Sequence, residues 1–338
     1  MTDAVLRVSF AGPLVTYQDA GRVGQMRFGV PASGPMDRLS HAAANTALGN
    51  APDCTAVEIS VGGLSLECIS GALSLGVAGG HFKVNRAEEG IGAWSVFALQ
   101  KGDKLTIRAG SKGSWAYLAF AGTVNAPKWL DHTATHSASG FGGGALLAGS
   151  TIRVSDTNIR EERHGDIERP SFLPPKDRVR VVRGPQDRFF TDTLIETFFS
   201  AQYTLTGSFD RMGVRLSGPK LEVGGALSIP SEPITRGSVQ VAGNGIPTVL
   251  LADHQTTGGY PKIATVISDD IDNVSQMRAN DRLSFVEISP QDAVQEIRKS
   301  ATDRALYLAK IAEPKGTLGQ RLMQENLISG AIANDTTP

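Results

Sequence analysis

The sequence predicts a mainly β protein with a few helices, arranged as two strand-rich lobes. Glycine is unusually frequent, at 38 of 338 residues, and it breaks the chain into short segments. Those segments alternate apolar and polar residues with the period of a half-buried strand. A charged, proline-containing stretch then separates an early series of such segments from a late one. A chain of this length corresponds to roughly two domains.

In the first series Ala56-Val57-Glu58-Ile59, Leu64-Ser65-Leu66 and Leu73-Ser74-Leu75 alternate, with Gly62-Gly63 and Gly71 at the breaks. Leu105-Thr106-Ile107 and the run Trp115 to Phe120 continue it. One helix precedes them. Pro35 suits its first turn, Met36, Leu39, Ala43 and Ala47 share a face, and Gly49 with Pro52 stops it. The expected boundaries are a first lobe over 1–160, a linker over 161–178, a second lobe over 179–289, and C-terminal helices with a tail over 290–338. Arg160, Glu161, Glu162, Arg163, Asp166, Glu168 and Arg169 run into Pro170, Pro174 and Pro175, which reads as an exposed connection. Gly184-Pro185 is expected to open a second helix carrying Phe190, Leu194 and Phe198, before a second glycine-broken strand series to Ile288. A long helix starts at Ser289-Pro290, with Val294, Ile297, Ala301, Ala305 and Leu308 on one face, and ends before Pro314. A last helix spans Leu318 to Leu327, and the tail after Gly330 reads as frayed. Leu99-Gln100-Lys101-Gly102-Asp103-Lys104-Leu105 and Met277-Arg278-Ala279-Asn280-Asp281-Arg282-Leu283 occupy comparable places in the two lobes, as a distant duplication or by chance.

Lys and Arg number 33 against 34 Asp and Glu, a formal net charge of −1. That balance excludes an electrostatic nucleic-acid binder. No apolar run approaches the roughly 18–20 residues of a membrane helix, and Met1-Thr2-Asp3 lacks a secretory pattern. A cytoplasmic location is expected, with Cys54 and Cys68 as free thiols. No phosphate loop or nucleophile elbow occurs. His132 and His136 lie four apart, but without a helix to align them no metal site is expected.

Two segments are dense in polar groups. In the first, Gln18, Asp19 and Arg22 flank Gly21, and Gly29-Val30-Pro31-Ala32-Ser33-Gly34-Pro35-Met36-Asp37 leads into the helix. Ser33 is expected as an N-cap oxygen and Asp37 as the first-turn charge, with free N–H groups suited to a carboxylate or carbonyl. A plain capped helix beside an Asp19–Arg22 surface pair is the alternative. In the second, the strand Thr248-Val249-Leu250-Leu251-Ala252 ends in Asp253-His254-Gln255-Thr256-Thr257-Gly258-Gly259-Tyr260-Pro261-Lys262. Two hydroxyls and two glycines there suit close approach of a small polar ligand, and Arg211 offers a carboxylate anchor. A polar hairpin loop is the alternative.

At these segments the chain resembles a known family. Gln18-Asp19-x-Gly21-Arg22-x-Gly24, Gly29-Val30-Pro31-x-Ser33-Gly34-x-Met36-Asp37, Ala44-Asn45 and Gly49-Asn50 look like its N-terminal signature. Asp210-Arg211-Met212-Gly213-x-Arg215-Leu216 and Gln255-Thr256-Thr257-Gly258-Gly259-Tyr260-Pro261 look like its C-terminal one. The family is the biotin-dependent carboxyltransferase-like group, also called allophanate hydrolase subunit 2. It includes the C subunit of bacterial 5-oxoprolinase and the carboxyltransferase part of urea amidolyase. The likeness runs from about Val8 to Phe285. His132-Thr133-Ala134-Thr135-His136-Ser137, Ala279-Asn280-Asp281 and the His254 position depart from the family pattern.

The resemblance implies two cyclophilin-like β-barrel subdomains. It also implies membership of an ATP-dependent 5-oxoprolinase-type complex, paired with a subunit-1-type protein and a lactam-hydrolase subunit. The substrate would be a small amide or lactam. Asp37, His254 and Lys262 would move protons. Gln18, Asp19, Arg22, Ser33, Gly34, Arg211, Gln255, Thr256, Thr257 and Tyr260 would bind substrate. No ATP site is identifiable in this chain. The alternatives are a carboxyltransferase that takes its carboxyl group from biotin on another chain, and a regulatory binding subunit.

Overall fold

The computed structural model describes residues 3–173, 177–223 and 229–324. The first lobe has two antiparallel sheets around one core. In the seven-stranded sheet, Ala4–Ala11, Leu64–Ser70 and Lys104–Ala109 are central, with Thr123–Val124 and Glu89–Gly90 at the edges. The six-stranded sheet runs Gly165–Asp166, Ser95–Gln100, Ala72–Gly79, Trp115–Phe120, Ala56–Ser60, Thr16–Gln18. Alternation sends Leu64, Leu66 and Cys68 from one sheet, and Leu73, Leu75 and Val77 from the other, into the space between them.

The six-stranded sheet is buried on both faces. Its second face carries Ala56, Ala78, Trp115, Tyr117 and Ala119, packed in a core cluster with helix α1 (Arg38–Leu48) and the second lobe. Met36, Leu39, Ala43 and Ala47 are buried as expected. Asp37 caps α1 by accepting from the Ser40 amide, so the cap is Asp37 and not Ser33. Gly49 ends the helix in the left-handed region at φ 86°.

The second lobe is a closed barrel, in the order Arg178–Arg183, Lys262–Val266, Ser238–Val241, Pro247–Leu250, Gly213–Ser217, Tyr203–Phe209, Arg282–Glu287. Arg178–Arg183 and Arg282–Glu287 close it as a parallel pair. The mainly β class stands, with a closed barrel in the second lobe and two separately laddered sheets in the first.

Helix α2 (Asp192–Ser200) starts at a Thr191 cap, later than expected. The Gly184-Pro185 peptide is cis, and the chain there turns back so that the Gly184 and Gln186 amides bond the barrel strand carbonyls of Ile263 and Lys262. Helix α3 (Ser268–Gln276) lies within the stretch read as strands. Its buried residues include Ile271 and Val274 but are mostly polar, with Asp269, Asp270, Asp272, Asn273, Ser275 and Gln276, so the apolar stripe that announces it is short. Helix α4 (Pro290–Ala312) starts at Ser289 as expected, but buries Ala293 and Tyr307 and exposes Val294 at 46%. The face is rotated because Arg304 reaches Asp269 and Asp272, each at 3.4 Å.

Helix α5 covers Leu318–Gln324, and the expected continuation to Leu327 and the tail lie outside the described residues. The stretch 161–178 is not simply an exposed connection. Gly165–Asp166 adds a strand beside Ser95–Val96, Ile167 is buried, and Arg163 donates to the Ala312 carbonyl at 2.7 Å. The two compared turns do share a form. Asp103 accepts from the Gln100 amide and Asp281 from the Arg278 amide, both at 2.9 Å, with Gly102 and Asn280 left-handed. Cys54 is exposed and Cys68 buried, both free. No helix among the described residues is long and apolar enough to cross a membrane.

Candidate functional site

The two polar segments meet between the lobes. Gly29, Val30 and Pro31 from the first lobe face Met212, Asp253, Gln255 and Thr256 from the second across a cleft of about 370 Å³. Trp129, His136, Ala138, Ser139 and Phe141 complete its lining. Trp129 and Phe141, stacked with ring centres 4.5 Å apart, give this lining an apolar part beside the polar Gln255 and Thr256. That combination suits a small planar amide.

Backbone fit shapes the first segment. Gly21 and Gly34 are left-handed at φ 85° and 82°. A Cβ on Gly21 would lie 2.7 Å from the Ala32 carbonyl oxygen, so residues 20–22 and 32–34 pack main chain to main chain. Asp19 holds this arrangement to the cleft loop. It accepts from the Gly21 amide at 2.9 Å and the Thr133 amide at 2.7 Å, with His132 at 3.3 Å. Gln18 donates to Thr16 and to the Thr135 carbonyl. Both side chains position the loop and do not line the cleft.

Arg211, expected as a carboxylate anchor, is committed to partners within the protein. Its Nε and Nη2 fork onto Asp253 at 2.9 and 3.0 Å, Nη2 also donates to the Gly34 carbonyl at 2.7 Å, and Nη1 pairs with Glu58. Every guanidinium nitrogen is spent inside the protein, which joins the lobes. Glu58 further accepts from the Met36 amide at 2.7 Å and the Tyr117 hydroxyl at 2.8 Å. Burial works against the Arg211 charge, yet Asp253 and Glu58 hold it protonated beyond the ordinary arginine value. Burial would likewise raise Asp253, but Arg211 and the Ser137 amide outweigh it and hold its carboxyl below the usual range. Burial pushes the Glu58 carboxyl up against the pull of Arg211.

The three expected proton-transfer groups do not converge. Asp37 sits away from the cleft, beside a separate 200 Å³ cavity, where Ser40 and Gln276 bind its carboxylate. Burial, with Asp272 nearby, raises its carboxyl. His254 is buried and its Nδ1 lies 2.7 Å from the Gln255 carbonyl oxygen, and burial lowers its imidazole. Lys262 is 1% exposed on a barrel strand, with no partner for Nζ. Burial lowers its ammonium, opposed by Glu232. Thr257 lies in the short ladder of Thr257–Gly258 with Glu232–Pro233, and Tyr260 is 41% exposed. Ser33 is left-handed at φ 54°, with a buried and unpartnered hydroxyl.

Asp37→Asn keeps an oxygen for the Ser40 amide but sets an NH2 donor against the Gln276 amide nitrogen, so we expect it to cost about 2 kcal/mol in urea unfolding. A loss of several times that would show the charge itself to be required.

A pH effect follows from His41, which is buried on α1 with its ring edge-on to Tyr117 at 5.6 Å. Burial pushes its imidazole down to about 4, opposed by the Gln18 carbonyl and Asp19. The unfolded chain, titrating near about 6.5, therefore takes up this proton first as pH falls. Stability from this group is lost through that window, with about 2 kcal/mol gone by about pH 5. His41→Gln should remove that portion of the difference between urea midpoints at about pH 8 and pH 5. Equal pH dependence in both proteins would show that His41 does not titrate this way.

Residues 28–287 match the family model "Carboxyltransferase domain, subdomain A and B", and the chain belongs to that family. It is 32% identical over 299 residues to the 5-oxoprolinase C subunit of Haemophilus influenzae, covering 88% of this chain and 94% of that one. It is 30% identical to the Escherichia coli 5-oxoprolinase C subunit, covering 91% and 98%. Among solved structures, the urea amidolyase of K. lactis superimposes with a TM-score of 0.79 at 25% identity, over 91% of this chain and 20% of that one.

Proposed function

We propose that this chain is the C-type component of an ATP-dependent 5-oxoprolinase-type amidohydrolase, which opens 5-oxo-L-proline to glutamate. The observation that carries this is the nearly end-to-end likeness to two proteins named as the C subunit of 5-oxoprolinase. The cleft is compatible with it. A five-membered lactam is flat enough for the Trp129–Phe141 pair, and its amide has a donor and an acceptor for Gln255 and Thr256. Opening the ring breaks the carbonyl–nitrogen bond, water supplies the hydroxyl, and the nitrogen leaves with a proton. The cleft lining has no Lys or Arg, so it does not fit a triphosphate. ATP is assigned to the partner subunits, and no step here runs through it.

Of the three candidates only Lys262 has no bond holding its charged atom, but it does not line the cleft, so as the proton-transfer group it would have to reach the substrate by a rearrangement that brings Nζ into it. Lys262→Met replaces an unpaired buried ammonium with an apolar chain of similar length, so stability should hold or rise. Turnover of the assembled complex should fall by about 100-fold. Unchanged turnover would remove Lys262 from the chemistry.

The deciding experiment is reconstitution with a subunit-1-type partner and a lactam-hydrolase subunit. Glutamate release should then depend on 5-oxo-L-proline and ATP. Turnover by the isolated chain at about 1–1000 per second would contradict the subunit reading. The likeness to urea amidolyase favours a second reading, carboxyl transfer from biotin on another chain to an amide nitrogen. Inhibition of the assembled activity by avidin would favour it.

A further inference from the structure

We propose that Arg22, with the Ser33 hydroxyl, forms a carboxylate-binding subsite behind Trp129 in the cleft, so that the ligand is a planar amide bearing a carboxylate. The proposal rests on the reading of this cleft as the substrate site, and it names what that site selects.

Arg22 is fully buried, yet only Nη1 is engaged, donating to the Ala134 carbonyl at 2.6 Å. Nε and Nη2 have no partner. Arg108, Arg236 and Arg304 each leave one buried nitrogen unpartnered, whereas Arg22 leaves two. Arg211 has two carboxylates, and Arg236 donates to the Pro35 and Met36 carbonyls with Asp272 at 3.7 Å. Desolvating a guanidinium without a counter-charge is expensive, and folded proteins seldom leave one so.

The nearby acids are already committed. Asp19 is taken by the Gly21 and Thr133 amides and His132, and Asp253 by Arg211 and the Ser137 amide. The free edge of Arg22, Nε with Nη2, is the same edge that Arg211 presents to Asp253 at 2.9 and 3.0 Å. A carboxylate matches that fork in a bidentate pair.

Position links this edge to the cleft. The Arg22 guanidinium carbon lies 5.0 Å from the centre of the Trp129 ring, and Trp129 lines the cavity. The Arg22 amide donates to the Ala32 carbonyl at 2.8 Å, which sets the Arg22 main chain against the segment carrying Ser33, whose buried hydroxyl is also unpartnered. Trp129 is carried on a tight turn. Its amide bonds the His132 carbonyl at 2.9 Å, across Leu130 and Asp131 at φ 49° and 66°. Two successive left-handed residues make this a tight two-residue turn, and a carboxylate that reaches the Arg22 edge has to move Trp129 aside. The cation–π contact is the weaker interaction, and a carboxylate at the Arg22 fork displaces it.

The test is calorimetric binding to the full chain with three probes: 5-oxo-L-proline, 2-pyrrolidinone, which lacks the carboxylate, and cyclopentanecarboxylate, which lacks the lactam. We expect 5-oxo-L-proline to bind at least about tenfold more tightly than 2-pyrrolidinone. Arg22→Gln should remove that preference. Ser33→Ala deletes a hydroxyl that bonds nothing in the fold, so it tests the subsite without loss of structure, and it should weaken the preference. Equal binding of the two lactams overturns the proposal, as does a preference that both variants retain, or no binding of 5-oxo-L-proline at millimolar concentration. If cyclopentanecarboxylate binds as tightly as 5-oxo-L-proline and depends on Arg22, the subsite stands and the lactam reading falls.

Discussion

Arg211→Met should destabilise the protein by about 3–5 kcal/mol, measured by urea unfolding near neutral pH. The substitution keeps much of the side-chain volume but leaves Glu58 and Asp253 facing each other across the lobe junction, both fully buried. Each then lacks the charge that offset its desolvation, and the Gly34 carbonyl loses its donor. The triple variant Arg211→Met, Glu58→Gln, Asp253→Asn should recover more than half of the loss. It removes the stranded charges, while the new amide oxygen at position 58 can still accept from the Met36 amide and Tyr117. Arg211→Lys should fall between, because one ammonium cannot fork onto Asp253 and reach Glu58 as well. If Arg211→Met stays within about 1 kcal/mol of the parent, the trio is not what couples the lobes.

The same residues mark how far the sequence could be read. The strand alternation at Leu64 to Leu66 and Leu73 to Leu75, and the apolar stripe of α1, are local patterns, and both survive in the structure. Helix α3 offers little to that reading, because beside Ile271 and Val274 most of its buried side chains are acids and amides whose partners lie elsewhere. Asp270 pairs with Arg180 at 2.7 Å and Asp272 with Arg38 at 2.9 Å. The rotated face of α4 has the same origin in Arg304.

At the site, the density of glycine and polar groups at Gly29 to Pro31 and Asp253 to Thr256 was legible, and these segments do share a cleft. Trp129, Phe141 and His136 were not read as cleft residues, though the glycine-rich loop around them was a usable signal. Arg211 illustrates the limit. Residue type correctly suggests a carboxylate partner. That the partner is Glu58, 153 residues away in a strand, follows only from the three-dimensional arrangement.

Gln276→Leu should be nearly as damaging, at about 3 kcal/mol, since it orphans several buried groups at once. The Gln276 carbonyl accepts from the Ser114 and Trp115 amides at 2.9 and 3.0 Å. Its amide nitrogen donates to Asp37 at 2.7 Å and to the Trp115 carbonyl at 3.0 Å. One side chain of α3 thus ties the first-lobe sheet to the cap of α1. Leucine fills the space but satisfies none of these groups. Gln276→Glu separates the donor and acceptor roles. Its carboxylate still accepts from both amides, but meets the Asp37 carboxylate with no donor between them. Two acids so placed share a proton, and their apparent pKa rises above the unfolded values. The penalty is present above that raised pKa and is relieved as pH falls through it, because the folded state then binds the extra proton. Relative to the parent, Gln276→Glu should therefore recover stability between about pH 7 and pH 5, while Gln276→Leu should not. Parallel pH profiles for the two variants would mean that Asp37 and residue 276 do not share charge, and that the loss in each comes from packing alone.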